Sequence, residues 1–306
     1  MEKKNNLQPI EYGQIPDILL MGNGINISFG GSSWDRVLAG ISTGEFDYDQ
    51  YTIKKLPYAL QTIVISSDSV SEGMQDISAG LMPYPLSKDH SVLLREFLSL
   101  PFDAILTTNY SYEIEVSLKD DFDLKIGRPS GYRISSKKGN TVQEQFGIYK
   151  YINVNNSSIW HIHGEAARPK SMVMGHYYYG KLLGEIQKRV PDVIRGYKVA
   201  QKKKEAYQPL SWIDYFLLGN VHIVGFGLDP SEMDIWWLIN CKKRNFPNGG
   251  KIYFYEPNLD EPDRYALKSL TDIFGIQCYS NKIKKTAYKE FYKESLEEMR
   301  TIISTR

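Results

Sequence analysis

Cysteine is almost absent, with Cys241 and Cys278 the only two in 306 residues. Two thiols build neither a disulfide framework nor a zinc site of cysteines alone, and both are expected to be buried. Long apolar runs are missing too. None approaches the roughly 18 residues of a membrane span, and the start Met1-Glu2-Lys3-Lys4-Asn5-Asn6 has no apolar signal region, so a cytoplasmic location without membrane contact is expected. Charge of one sign is also lacking: the formal net charge is +1, which gives no global pull toward nucleic acid. The basic stretch from Lys188 to Lys204 reads as a solvated helix face. There is no internal repeat, and no His/carboxylate set stands at ligand spacing, so no metal is expected.

What is present suits a packed globular chain. A hydrophobic content of 42% and a charged content of 24% argue against disorder. The length fits one domain over residues 1–306, with a smaller lobe inserted into it. Asp17-Ile18-Leu19-Leu20-Met21 runs into Gly22-Asn23-Gly24-Ile25-Asn26, a buried strand entering a glycine turn, and Ser33 then caps a helix. A second unit has a helix over Ser91 to Leu100, a strand from Ala104 to Thr108 and a helix from Glu113 to Leu118. Residues 127–156 turn polar and read as loops with a small hairpin.

Strands are expected at Ser158 to His163, closed by Gly164, and at Ser171 to Met174, closed by Gly175. Residues 177–218 read as the mainly helical lobe, punctuated by Pro191 and Pro209. The last third alternates cleanly. Val221 to Val224 is a strand and Gly225 to Leu228 a turn. Asp229, Pro230 and Glu232 then form a capping box at a helix start. A strand at Lys251 to Tyr255, a helix over Asp263 to Phe274 and a strand at Ile276 to Tyr279 follow. A packing helix at about 286–305 carries Tyr288, Tyr292, Leu296, Met299 and Ile303 on one stripe. This order predicts an α/β fold: a Rossmann-like parallel sheet with helices on both faces and the inserted helical lobe.

Gly22 and Gly24 stand between a strand and a helix, where backbone amides can approach a pyrophosphate, although such turns also occur in proteins that bind nothing there. The hydride-transfer fingerprint needs a further glycine where Ile27 stands, and no acidic residue ends a second strand about twenty residues on, so a dehydrogenase is disfavoured. Asn109 offers both arms of an amide at a strand end, or is a turn former. His163 suits general-base work near neutral pH, or is a hydrogen-bonded core residue. His161 is assigned to support behind the site.

Four motifs in order carry a family resemblance. Gly22-Asn23-Gly24-Ile25-Asn26 resembles the sirtuin Gly-Ala-Gly-x-Ser loop, and Thr107-Thr108-Asn109-Tyr110-Ser111 the Thr-Gln-Asn-Ile-Asp segment. His163-Gly164 is similar to the catalytic His-Gly, and Gly225-Phe226-Gly227-Leu228-Asp229 to the glycine turn after a late strand. Ser33-Trp34 adds a feature of bacterial sirtuin-like NAD hydrolases of anti-phage defence, and the His161-Ile162-His163-Gly164 segment is similar to abortive-infection proteins with a Gly-Asn-Gly opening.

The resemblance implies NAD⁺ as substrate, with Asn109 and His163 catalytic. It implies contacts from Gly22, Asn23, Gly24, Asn26, Trp34, Thr108, Gly225, Gly227, Glu256 and Asn258. It also implies a homo-oligomer and a separately encoded defence partner or activator. The expected reaction is hydrolysis of the nicotinamide–ribose bond to nicotinamide and ADP-ribose by an abortive-infection effector. Alternatives are a non-catalytic module sensing NAD⁺ or an ADP-ribose derivative, and a protein ADP-ribosyltransferase or deacylase. Deacylation fits poorly, because the sirtuin zinc module needs four cysteines.

Overall fold

The structure is a computed structural model that describes residues 7–41, 56–65, 86–119, 133–134 and 146–306. Its strands are β1 Asp17–Met21, β2 Ala104–Thr107, β3 Arg133–Ile134, β4 Lys150–Val154, β5 Ser157–His161, β6 Asn220–Val224, β7 Ile252–Tyr255 and β8 Gln277–Tyr279. They form one sheet in the order β3-β4-β5-β2-β1-β6-β7-β8. The run from β5 to β8 is parallel throughout, while β4 and the two-residue β3 add antiparallel at one edge. Renumbered among themselves, the parallel strands read about 3-2-1-4-5-6, the doubly wound order whose switch point lies between the first and fourth.

Burial of both sheet faces explains why β1 has no polar alternation. Ile18 and Leu20 point to one side, where they share a core with Trp160, Ile223 and residues of the helices Gly175–Lys203, Trp212–Leu218 and Met233–Asn245. Leu19 and Met21 point to the other, against Leu94 and Phe97 of helix Lys88–Leu98 and Phe291 and Leu296 of helix Tyr288–Ser304. Residues 177–218 therefore pack as a layer on the sheet, through Leu182, Ile186, Val193, Trp212 and Phe216. The anticipated stripe of the last helix faces the core, with Tyr292, Leu296 and Met299 buried.

Several local expectations change. Pro191 lies inside the helix Gly175–Lys203 without ending it. Residues 172–174 are not a strand: a 3₁₀ turn at Pro169–Ser171 precedes them, and Gly175 opens the long helix. Strand β5 ends at His161, so His163 lies in the following turn. The hairpin between β4 and β5 turns at Asn155 and Asn156, with φ of 48° and 69°, a pair of left-handed residues that asparagine tolerates. The rest of the polar stretch expected there, residues 127–132 and 135–145, lies outside the described residues.

The capping box expected at Asp229–Glu232 is instead found at Ser211 and Asp214, on helix Trp212–Leu218. Helix Met233–Asn245 starts without a side-chain cap, and Asp229 accepts from Ser231 N and Oγ in a local turn. Of the two thiols, Cys278 is exposed on edge strand β8 and Cys241 is half-buried. No helix among the described residues is long and apolar enough to cross a membrane.

Candidate active site

A cavity of about 590 Å³ opens where the carboxyl ends of β1, β2 and β6 meet, at the switch point. Ligands of doubly wound sheets gather in this crevice. Asn23, Gly24, Asn26, Trp34, Thr108, Asn109, His163, Gly225, Gly227 and Glu256 all line it. Gly22 and Asn258 do not. Gly22 lies beneath the β6 loop, and Asn258 holds a turn at φ 59°, its Oδ1 accepting from Ile283 N at 2.7 Å.

The two first glycines are required by packing between loops. A Cβ at Gly22 would stand 2.5 Å from the Gly225 carbonyl oxygen, and one at Gly24 would overlap the Tyr292 hydroxyl. Their amides are also spent: Gly22 N donates to Val224 O at 2.9 Å and Gly24 N to Gly225 O at 2.7 Å. The expected cradle by these two amides is therefore corrected, since they tie the β1 loop to the β6 loop. What the β1 loop presents instead is a relay of amide side chains. His90 Nε2 lies 3.0 Å from Asn26 Oδ1, Asn26 Nδ2 donates to Asn23 Oδ1 at 3.1 Å, and Asn23 Nδ2 to Ser32 O at 2.8 Å. Because Asn26 Oδ1 only accepts, His90 carries its proton on Nε2. Burial, with the nearby Lys289 charge, pushes the His90 imidazole down to about 4, so it stays neutral.

Asn109 sits two residues beyond β2 and is 8% exposed. Its backbone is pinned from both sides: Asn109 N donates to Thr107 Oγ1 at 3.1 Å, and His161 Nδ1 donates to Asn109 O at 2.7 Å. His161 Nε2 faces Glu115 Oε1 at 2.8 Å, so the ring bridges a carbonyl and a carboxylate. Burial alone would lower the His161 imidazole, but Glu115 outweighs it and raises it to about 9. His161 is thus an imidazolium behind the cavity, in the supporting place the sequence assigns it. Asn109 Oδ1 is buried and has no hydrogen-bond partner among the described residues. A buried amide oxygen left this way is costly unless a ligand donor meets it.

His163 is 3% exposed and reaches the cavity from the turn after β5. Gly164, at φ 92°, makes that turn; a Cβ there would overlap the Ser171 carbonyl, so the His-Gly pair has a backbone reason as well. His163 Nε2 lies 2.9 Å from Asp234 Oδ2 and 3.8 Å from Glu232 Oε2. Tyr179 donates to Glu232 Oε2 at 2.7 Å and packs edge-on to the His163 ring. Burial would lower the His163 imidazole, yet the charges of Asp234 and then Glu232 hold it above its ordinary value. Burial likewise pushes the Glu232 carboxyl up to about 7 against the pull of His163. Farther along, Glu256 lines the wall paired with Arg264, and burial raises it to about 7.

His163, Glu232 and Asp234 have ligand atoms within 4.8 Å of one another. The sequence showed no such set because Asp234 lies 71 residues from His163. In the sequence Glu232 reads as part of a helix cap. Its alternate spacing with Asp234 at a helix start was the only local signal, and it is common. Arg264 and Glu113, which accepts from Ser111 Oγ at 2.7 Å, also line the cavity and stand in no sequence motif that singles them out. No family model matches the chain, and no curated protein matches it.

Proposed function

We propose that the chain hydrolyses NAD⁺ to nicotinamide and ADP-ribose in this cavity. The observation that carries the reading is the convergence of Asn109, with its unpartnered amide oxygen, and the paired His163 in one crevice at the switch point. Nicotinamide in NAD⁺ is already a cationic leaving group, so the step needs positioning and charge stabilisation more than a strong acid. The C1′–N bond breaks with its electron pair going to the ring nitrogen, which leaves as neutral nicotinamide. A water oxygen bonds to C1′ and its proton passes to His163. Asn109 Oδ1 accepts from the ribose hydroxyl or from that water. The carboxylates Glu232 and Glu256 in the wall favour a cationic ring and an electron-poor sugar.

The resemblance to bacterial sirtuin-like NAD hydrolases supplies the biological setting, an abortive-infection effector that depletes the cofactor. Product analysis by mass spectrometry tests the chemistry. Free ADP-ribose and nicotinamide are expected; unchanged NAD⁺ would make the chain a sensing module, and protein-linked ADP-ribose a transferase. Either result overturns the reading.

A further inference from the structure

The loop ahead of helix Met233–Asn245 supplies carboxylates to a histidine that belongs to the other side of the cavity. Asp234 is fully buried, with 0% exposure, and its one hydrogen-bond partner among the described residues is His163. A carboxylate in that position is acceptor-only, so Nε2 of His163 must carry the proton between them. Nδ1 has no bonded partner among the described residues, and the residue lines the cavity. The tautomer of neutral His163 is therefore set by Asp234, with the lone pair on Nδ1.

We propose that Asp234 is the positioning residue of this site, fixing the His163 ring so that Nδ1 is its working nitrogen, and that a cationic substrate releases the proton held there. The proposal rests on the reading of the cavity as an NAD⁺ hydrolase site. Asp234 Oδ2 at 2.9 Å and Glu232 Oε2 at 3.8 Å from Nε2 favour the protonated ring over the neutral one. Among the described residues, the other titratable groups around this cluster are the phenols Tyr179, on helix Gly175–Lys203 and edge-on to the ring, and Tyr110, in the loop after β2 near the two acids; burial pushes both up, so they remain neutral donors. Tyr179 donates to Glu232, and Tyr110 to Val173 O at 2.9 Å. Among the described residues, Asp234 and then Glu232 are thus the charges that favour a proton on His163. Docking a pyridinium beside them adds a positive charge, which disfavours the protonated ring. The Nδ1 proton leaves to solvent, and the freed lone pair accepts the proton of the attacking water. Armed this way, the base forms when the substrate is bound.

Two measurements test this on the full chain. In ¹⁵N-imidazole NMR of the unliganded protein, the neutral form of His163 is expected to carry its proton on Nε2. Asp234→Asn should lower the His163 titration midpoint by about 1–3 units, the usual effect of removing an opposite charge at this distance. A neutral form protonated on Nδ1, or an unmoved midpoint in a folded Asp234→Asn protein, overturns the positioning role whether or not the chain hydrolyses NAD⁺. Glu232→Gln, nearer the solvent, is the second variant should Asp234→Asn unfold; it should lower the midpoint less, and no change would count against the proposal.

The pH profile then tests arming. The acidic limb of kcat should lie at lower pH than that of kcat/KM, because the first reports the bound complex. Asp234→Asn should cut kcat on the order of 10²-fold or more, with Asp234→Glu recovering part of it. Coincident limbs would remove the arming step. Titration with Zn²⁺ or Mn²⁺ supplies a further arm: a cation bound by His163, Glu232 and Asp234, and lost in Asp234→Asn, would replace the proton by a metal and overturn the proposal.

Discussion

The cavity has two unlike walls. On the side of β1 and β2 it is lined by the neutral amides Asn23, Asn26 and Asn109, each held by a directional hydrogen bond to its side chain or backbone, with the buried Glu113 carboxyl held by Ser111 Oγ beside them. On the side of β6 and β7 it is lined by Asp229, Glu232 and Glu256, whose environments must supply countercharge or protons. His163 belongs to the first side by strand order and is bonded to the second through Asp234. The difference suits the crevice to the proposed substrate, which joins a hydroxyl-rich sugar to a cationic base. Amides satisfy hydroxyls in both directions without titrating, whereas buried acids respond to any charge brought beside them.

The sharpest way to break the comparison is to delete the group that each wall contributes to chemistry. Asn109→Ala and His163→Ala are each expected to lower NAD⁺ turnover on the order of 10²–10⁴-fold, with thermal unfolding close to wild type. The double variant should lose little more than either single one, since residues acting as a unit do not add. Nicotinamide release and melting, followed on the same preparations, decide this. Near-wild-type turnover in a well-folded His163→Ala protein would sink the proposed chemistry, and loss of activity only in step with unfolding would reduce both residues to structural roles.

The amide wall was legible in the sequence, as was Glu256 of the acid wall, while Glu232 and Asp234 were not, for a physical reason. Asn23, Asn26 and Asn109 each follow a short apolar strand within a few residues, so strand ends and turn chemistry locate them together. The parallel pairing of the main strands, too, follows from alternating strands and helices, although their order in the sheet does not. The His-Gly motif locates His163, but the strand expected to run to it stops two residues earlier, since β5 ends at His161 and the chain turns through Gly164. Asp234 and Glu232 became functional candidates only through a contact 71 residues long in sequence. The capping signal at Asp229–Glu232 misled because the same residue types serve both helix starts and buried charge pairs. At Ser211–Asp214 the box is real and Asp214 is also bound by Arg189 at 2.6 Å.

A smaller effect sharpens what the glycines do at the seam between the walls. Gly22→Ala forces a methyl against Gly225 O and Phe226, so the β1 and β6 loops must part; a loss of about 1–3 kcal/mol is expected. At Gly227 a Cβ meets nothing within 4 Å, so Gly227→Ala should leave stability within about 0.5 kcal/mol. Weaker NAD⁺ binding by a Gly227→Ala protein of normal stability would mark Gly227 as surface that the substrate crosses. If Gly22→Ala instead left melting unchanged while weakening binding, the packing account of Gly22 would be wrong and its cradle role restored.

The smallest expected effect separates the walls by the direction of their pH response. His90, behind the amide relay, has its imidazole lowered from 6.5 to about 4 in the folded chain, first by burial and then by Lys289. Between those values the unfolded chain binds the proton that the folded chain refuses, so stability falls as pH drops from about 6.5 toward 4. Glu232 behaves oppositely: burial raises it from 4.5 to about 7, so the folded chain binds the extra proton in that interval. Its contribution is fully present below about 4.5 and is lost as pH rises through 7. His90→Gln keeps a donor for Asn26 Oδ1 but does not titrate. It should flatten the acid-side decline while leaving the Glu232 slope in place, and Glu232→Gln should do the converse. Thermal melts from pH 4 to 8 on both variants read the two slopes separately. If His90→Gln altered the slope only above pH 7, the relay would not contain a neutral His90, and the opposed pH responses of the two sides would fail.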